Sequence, residues 1–292
     1  MNSKNPQQEL LALISMLDEP DNKALGFISE QILAYGPDAI PTLEEAWENT
    51  FDNTLQERIE DMIHHIQQET LYFEMNKWAN FEHSDLAKGC YLVSKFHYPT
   101  LKQEIITTAI ARLRIDVWLE LNDELTALEK IKVLNHILFA VRQYKGVINE
   151  DNNPRLTLIN MLLENHKGDA ISLGALYIIL AQMLDLPVYG VDLPQHFILA
   201  YTRRPMDEKK PFLDASEVLF YINPFRQGAV FTIKQIEHYL KQMNVEMQPS
   251  HFLPCSNQMI IRRMMTDMMQ SYSRSGKEDT VQELQALMKA LD

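Results

Sequence analysis

The chain has 292 residues, of which 46% are apolar and 23% charged, as in an ordinary globular protein. Its 40 acidic side chains outnumber its 27 basic ones, which gives a formal net charge of -13. This charge opposes binding to nucleic acid phosphates and to anionic lipid. No apolar run approaches the roughly 18 residues that a membrane-spanning helix needs. We therefore predict a cytoplasmic protein with neither nucleic acid nor membrane partners.

The first seventy residues contain an internal sequence repeat with a spacing of 31 residues. Each copy begins with an Asp-Asn pair able to cap a helix and continues with apolar residues at helical spacing. A period of this size suits stacked helix pairs and resembles HEAT-type repeats, which predicts a HEAT-like helical region over residues 1–77. The two copies are Asp21-Asn22 with Ile28 and Ile32, and Asp52-Asn53 with Ile59 and Ile63.

The pattern stays helical up to a turn at Gly168. After this turn, a segment that is apolar on nearly every face predicts a buried helix from Ile171 to Leu184. The helices predicted before the turn are Leu86 to Phe96, Leu101 to Leu121, Glu129 to Tyr144, and Leu156 to Glu164.

Strands are predicted only after Gly168. Four short segments there are rich in β-branched and aromatic residues and are separated by Pro, Gly and Asp. They predict a small antiparallel sheet that covers the Ile171 to Leu184 helix, and the fold class is therefore α+β and mostly helical. The predicted strands are Val188 to Val191, Phe197 to Tyr201, Val218 to Ile222, and Ala229 to Thr232.

The last part of the chain returns to helix. Met259 to Ser273 and Asp279 to Leu291 predict a hairpin that resembles a single tetratricopeptide-type unit, and residues 246–292 form a region of their own. Seven methionines lie between Met243 and Met269. They suit either an adaptable binding face or the filling of gaps in a core.

Few residues suggest a metal or a disulfide. Cys90 and Cys255 are far apart in the sequence and belong to no CxxC pattern. We therefore interpret both as reduced thiols of a cytosolic protein. His64 and His65 follow Glu60 at a spacing that metal ligands can have, but adjacent residues point to different faces of a helix. We predict no metal and no cofactor.

A helix entrance, a His and an Asn follow one another along the chain. Thiol enzymes place their nucleophile, general base and orienting residue in this order. A helix is entered through the Gly168 turn, a later strand presents His196, and a further strand presents Asn223. A helix N-terminus stabilises a thiolate, a His completes the ion pair, and an Asn carbonyl orients the His ring. The helix entrance, however, carries no Cys and reads Asp169, Ala170, Ile171 and Ser172.

Five segments of the middle third carry a joint pattern. They are Asn152-Asn-Pro154, Gly168-Asp-Ala-Ile-Ser-Leu173, Leu184-Asp-Leu-Pro187, Gly190-Val-Asp-Leu-Pro-Gln-His-Phe197 and Asn223-Pro-Phe225. Together they resemble the SirB-type transglutaminase-like family, whose segments read Gly-Asn-Pro-Ile-Ser-Leu, Leu-Gly-Leu-Pro, Gly-Val-x-Leu-Pro-x-His-Phe and Asp-Pro-Phe after an Asn-rich entry. The resemblance implies a transglutaminase-like domain over residues 78–245.

The sequence departs from that pattern at three places. Ala170 stands where the family often has Pro and where true transglutaminases would place Cys, Asp185 replaces the usual Gly, and Asn223 replaces the commoner Asp. The family typically lacks the catalytic Cys, so the resemblance implies the fold and leaves the activity open. The candidate catalytic residues are Ser172, His196 and Asn223, with Ala170 as the nucleophile position.

Each candidate also has a structural interpretation. Ser172 can cap or pack the helix, His196 can be satisfied by its neighbours, and Asn223 before Pro224 can end a strand. A helix terminus shifts a pKa by less than about one unit, which leaves a serine hydroxyl a weak nucleophile. The leading hypothesis is a non-catalytic module that binds a protein or peptide partner or has a regulatory role. The alternative is an active hydrolase or acyltransferase with a non-standard nucleophile such as Ser172.

Overall fold

The computed structural model describes residues 6–17, 22–206 and 215–292. The chain divides into two compact units, Met1–Glu74 and Met75–Asp292. Helices make up most of the described chain, and its antiparallel sheet lies in the second unit. The predicted fold class, α+β and mostly helical, is confirmed.

The helices of the first unit surround one apolar core. This core buries three apolar residues of the internal repeat, Ile28, Ile32 and Ile59. Asp52 caps the second copy as predicted, since its Oδ1 accepts a hydrogen bond from Thr54 N at 2.8 Å. In the first copy, Asp21 and the side chain of Asn22 lie outside the described residues. The helices are α1 (Pro6–Ile14), α2 (Asn22–Leu33), α3 (Ile40–Asn49) and α4 (Asn53–Lys77).

The second unit is organised around one buried helix, α9. Every residue of α9 from Ile171 to Ala181 is buried, as the apolar run predicted. Helices α5, α8 and α11 and the antiparallel sheet all contact it. The helices of this unit are α5 (Leu86–His97), α6 (Gln103–Glu120), α7 (Ala127–Asn135), α8 (Ile159–Asn165), α9 (Ala170–Gln182), α10 (Ile233–Gln242), α11 (Asn257–Arg274) and α12 (Glu278–Met288).

Four antiparallel strands form the predicted sheet in the order β3-β4-β5-β6. A two-residue turn at Pro194 and Gln195 joins the first two, so that Leu193 pairs with His196 and Asp192 with Phe197. The strands are β3 (Val188–Leu193), β4 (His196–Thr202), β5 (Val218–Asn223) and β6 (Ala229–Phe231). The sheet therefore has β3 and β6 at its borders.

Phe197 fixes the distance between the sheet and α9. A Cβ atom on Gly174 of α9 or on Gly190 of β3 would lie 2.6 Å from the Phe197 ring. Glycine at both positions lets the backbones approach the ring closely. On the other face of the sheet, Ile198 and Ala200 pack with α10.

The structure differs from the sequence prediction before Gly168. The predicted helix over Glu129 to Tyr144 is α-helical only to Asn135, after which His136–Val141 form a wider π-helical turn. Lys145–Gly146 (β1) and Lys167–Gly168 (β2) form a short parallel pair that was not predicted. Two residues per strand are too few to show a period in the sequence.

A second difference concerns the segment predicted as one helix from Leu156 to Glu164. Pro154–Thr157 form a 3-10 turn, which Asn153 caps by accepting a hydrogen bond from Arg155 N at 3.0 Å. Leu158 is extended, and α8 begins only at Ile159. This break allows the 3-10 turn to lie beside the entrance of α9.

The terminal hairpin of α11 and α12 is present as predicted. The chain reverses at Gly276, whose φ of +71° falls in the left-handed region that favours glycine. Met264, Met265 and Met268 are fully buried, so they fill the core, whereas the Met259 side chain is 44% exposed. Among the residues described, no helix is both long and apolar enough to cross a membrane.

Candidate functional site

Asp169 occupies the entrance of α9. Its Oδ1 accepts hydrogen bonds from Ile171 N at 3.1 Å and Ser172 N at 2.8 Å, and its Oδ2 accepts one from Thr157 Oγ1 at 2.6 Å. Burial raises the pKa of Asp169, and these hydrogen bonds oppose the rise. The positive end of the helix, where a thiol enzyme would stabilise its thiolate, is therefore used by a carboxyl group.

Ser172 lies inside the protein. Its side chain is fully buried, and its Oγ donates a hydrogen bond to Leu156 O at 2.8 Å. Ala170, the first residue of α9, is partly buried and offers only a methyl group. Neither residue presents a nucleophilic atom to solvent in this structure.

His196 lies at the start of β4, directly after the β3–β4 turn, and is exposed. Its ring packs against Tyr239 of α10, with ring centroids 5.0 Å apart. Side chains alternate along a strand, so His196 shares the face of Ile198, whereas Phe197 faces α9. Partial burial lowers the pKa of His196, and the charges of Arg226 and Arg263 lower it further. The imidazole is thus on the α10 side of the sheet.

Asn223 ends β5 and caps the turn that follows. Its Oδ1 accepts a hydrogen bond from Arg226 N at 3.1 Å, which starts the 3-10 turn Pro224–Arg226. Across the described ranges, no hydrogen bond joins His196 to Asn223 or to Ser172. The three residues therefore form no hydrogen-bonded triad in this structure.

An ion network that the sequence analysis missed lies among these residues. Arg263 of α11 donates from Nη1 to Asp192 Oδ1 of β3 at 2.7 Å and from Nε to Asp267 Oδ1 at 3.0 Å. Burial raises the pKa of Asp267 to about 6, the Arg263 charge opposes this, and the charges of Asp169 and Asp192 add to it. The spacing of four residues between Arg263 and Asp267 on one helix was the available sequence signal.

The two cysteines do not supply the absent nucleophile. Burial raises the pKa of the Cys90 thiol, and burial together with the Asp192 charge raises that of Cys255 to about 12. Both thiols are therefore neutral near pH 7 and poor nucleophiles. Cys255 lines a cavity together with His251 and Arg263. Within residues 6–17, 22–206 and 215–292, no group of three or more His, Cys, Asp or Glu side chains is placed to hold a metal ion.

The raised pKa of Asp267 leads to a pH prediction. A carboxyl group whose folded pKa exceeds its unfolded value of about 3.9 favours folding below that value, and this contribution is lost as the pH rises through about 6. Replacing Asp267 by Asn removes this titration. Relative to the natural chain, the variant should gain about 2 kcal/mol in unfolding free energy between pH 4.5 and 7.5, as measured by urea denaturation.

The matched control for this experiment is Asp151→Asn, the same exchange in an exposed turn, with its unfolding free energy measured over the same pH range. If the profiles of Asp267→Asn and the natural chain run parallel over this range, the Asp267 carboxyl does not titrate as inferred.

The fold and this site define a class of protein. A buried helix packs against an antiparallel sheet that carries a His and an Asn on consecutive strands, as in thiol enzymes. The N-terminus of this helix, however, holds a carboxyl group. A family model described as Transglutaminase-like superfamily matches residues 104–266. Because this match covers more than half of the 292 residues, the chain belongs to the transglutaminase-like superfamily.

Curated relatives match at low identity. The UPF0162 protein of Xylella fastidiosa (strain 9a5c) is 28% identical over 154 residues, which are 50% of this chain and 54% of the relative. The UPF0162 protein of Vibrio cholerae serotype O1 is 23% identical over 187 residues, 63% of this chain and 65% of that protein. F-box only protein 21 of Mus musculus is 25% identical over 112 residues, 38% of this chain and 17% of that protein. The chain thus spans about half the length of the first relative. No solved structure matches this chain.

Proposed function

We propose that this protein is a non-catalytic member of the superfamily that acts as a protein-interaction or regulatory module. The observation that carries the proposal is that a carboxyl group already occupies the N-terminus of α9. Two backbone N–H groups there, of Ile171 and Ser172, already bind the Asp169 carboxyl group. A nucleophile at this helix end would have to share those donors with a second acidic group.

The state of Ser172 supports the same proposal. A serine nucleophile needs a general base within hydrogen-bond reach and an open path for the substrate. The Ser172 hydroxyl instead donates to the main chain at Leu156, and the His196 ring packs on Tyr239 across the sheet. An active hydrolase or acyltransferase would require both side chains to move.

The finer assignment is part of the proposal. The motifs between Asn152 and Phe225 suit the SirB-type branch, with HEAT-like helices over residues 1–77, a transglutaminase-like domain over 78–245 and a tetratricopeptide-like hairpin over 246–292. The match to F-box only protein 21 involves 17% of that protein, which fits a segment used as one module among others. A cytoplasmic location and a protein or peptide partner complete the proposal.

Covalent labelling tests the absence of catalysis. The protein is treated separately with a fluorophosphonate and with iodoacetamide at pH 7.5, and adducts are located by peptide mass spectrometry. We expect no adduct on Ser172, because its hydroxyl is buried. Cys90 should be alkylated only after addition of denaturant, since its thiol is buried, and Cys255 should react slowly in the folded chain, since burial and the Asp192 charge keep its thiol protonated.

One result would overturn the proposal. A stoichiometric fluorophosphonate adduct on Ser172 that disappears in His196→Ala would show a working nucleophile and base, and the protein would then be an enzyme. The unfolded chain is the control for accessibility of every labelled residue.

A further inference from the structure

A groove follows the outer edge of β3, the strand at one border of the sheet. Two cavities of about 450 and 490 Å³ form it, and they share Cys255 and Ser256. We refer to the two cavities together as the Cys255 groove. Both cavities lie within the second unit. Ala170, Ser172, His196 and Asn223 do not line it.

The main chain of β3 is already paired along the groove. Gly190 O accepts a hydrogen bond from Cys255 N at 2.8 Å, and Val188 O accepts one from Gln182 Nε2 at 3.2 Å. A ligand in the groove is therefore recognised through side chains and not by addition of a strand.

The walls of the groove combine rigid and adaptable apolar groups. Pro194 and Pro254 line one cavity and Pro187 and Pro205 the other, and proline fixes its own backbone torsion. The side chains of Met206 and Met259 are 37% and 44% exposed, and methionine adapts its shape to what it contacts. Such walls accept apolar side chains at little cost in backbone ordering.

The charge of the groove selects the kind of ligand. Asp185 is exposed in the cavity that Met206 lines, and within the part of the chain that the structure describes its carboxylate makes no ion pair. In the other cavity, Asp192 is paired with Arg263. The two carboxylates thus exceed the one guanidinium, in a chain of net charge -13. A cationic group is favoured beside Asp185.

We propose that the Cys255 groove binds an extended peptide segment of a partner protein, with a Lys or Arg side chain against Asp185 and an apolar side chain against Met259. This inference rests on the proposed function and names the partner chemistry. Long-range attraction between the acidic chain and a basic segment speeds the encounter, and the proline and methionine walls hold the apolar side chain.

Peptide selection tests the inference without a known partner. A phage-displayed library of random dodecapeptides is selected on the 292-residue chain, and the recovered peptides are synthesised with a fluorescent label. Their affinities are measured by fluorescence anisotropy. We expect the recovered peptides to share a Lys or Arg next to apolar residues, and their binding to weaken as salt is raised.

Variants at Asp185 test the charge contact. Asn tolerates the positive φ of 59° at this position, so Asp185→Asn should keep the fold and weaken binding about threefold. Asp185→Lys, which adds repulsion, should weaken binding about tenfold or more. Asp123→Lys, in an exposed turn that does not line the groove, is the matched control and should have no effect beyond its change in net charge.

Variants at two exposed methionines test the apolar contact. Met259→Lys places a charge in the groove and should weaken binding more than about tenfold. Met247→Lys, at a side chain that is 39% exposed and does not line the groove, should not. Circular dichroism of both variants checks that the fold is retained.

Three results of the peptide experiments would overturn the inference. These are the recovery of no peptide, the recovery of peptides without a basic residue, and equal loss of binding in Met259→Lys and Met247→Lys. A concentration-dependent dimer that Met259→Lys abolishes would assign the groove to a second copy of the chain and would also overturn it. None of these results depends on the labelling of Ser172, so failure of the groove and failure of the proposed function can be told apart.

Discussion

Replacing Leu176 by Asp is expected to leave the second unit without a stable fold. Leu176 is 1% exposed in the middle of α9, which α5, α8, α11 and the sheet all contact. An unpaired charge at such a site costs about 3–5 kcal/mol or more, against a total stability of about 5–15 kcal/mol for a domain. The variant should be recovered mainly as insoluble protein, with the near-ultraviolet circular dichroism of folded aromatic residues lost.

Two further variants complete this experiment. Ile179→Asp, at a side chain that is 5% exposed, should behave like Leu176→Asp, whereas Leu119→Asp should not, because Leu119 of α6 is 69% exposed. Native-like spectra and normal solubility in both Leu176→Asp and Ile179→Asp would show that α9 is not the central buried helix.

A second large loss of stability is expected when Gly228 is replaced by Ala. Its φ is +74°, and a Cβ atom there would lie 1.9 Å from Asn135 Oδ1. Asn135 in turn donates a hydrogen bond from Nδ2 to Gly228 O at 2.9 Å and accepts one from the Tyr177 hydroxyl at 2.9 Å. Gly228→Ala therefore adds backbone strain and displaces a side chain that joins α7, α9 and the turn after β5. We expect a loss of about 3–5 kcal/mol in unfolding free energy by urea denaturation.

Gly276 provides the control for this prediction. Its φ of +71° is nearly the same, but no atom lies within 4 Å of a Cβ built on it. Gly276→Ala should therefore cost only the backbone strain, about 1–2 kcal/mol. A double variant with Asn135→Ala should recover part of the loss in Gly228→Ala, because the clash is removed. Equal losses at Gly228 and Gly276 would mean that the contact with Asn135 is unimportant.

Much of the core could be predicted from the sequence because its patterns are long. The continuous apolar run of α9, bounded by Gly168 and Pro187, is too long for a strand and too apolar for a surface helix. The strands after it are separated by Pro, Gly and Asp, which identified an antiparallel sheet. The short β1 and β2 strands and the break at Leu158 depend on packing between distant segments, and no local pattern marks them.

The geometry of the candidate site was harder to predict for a specific reason. The face of the sheet on which His196 lies is set by strand alternation, but β4 is apolar on both faces. Phe197 and Leu199 on one face are as apolar as Ile198 and Ala200 on the other, so periodicity cannot say which face meets α9. The catalytic roles of Ser172, His196 and Asn223 stay predictions.

The Arg263 network shows the other limit of sequence reasoning. The spacing of Arg263 and Asp267 indicates only a common helical ion pair on a surface. Its burial depends on Asp192, which is 71 positions away along the chain. The raised pKa of Asp267 follows from that burial and from the nearby Asp169 charge, neither of which the sequence displays.

The carboxyl group at the start of α9 also limits how a reactive thiol could be introduced at this helix end. A single change of Ala170 to Cys would place the new sulfur next to an acid that already holds the helix donors, and a neighbouring negative charge keeps a thiol protonated. Exchange of Asp169 would have to accompany it, at the cost of the helix cap and of the Thr157 hydrogen bond. A reactive thiol at this position thus requires at least two coordinated substitutions, of which the exchange of Asp169 destabilises the fold. Asp169 therefore links the stability of the α9 entrance to the absence of a reactive thiol there.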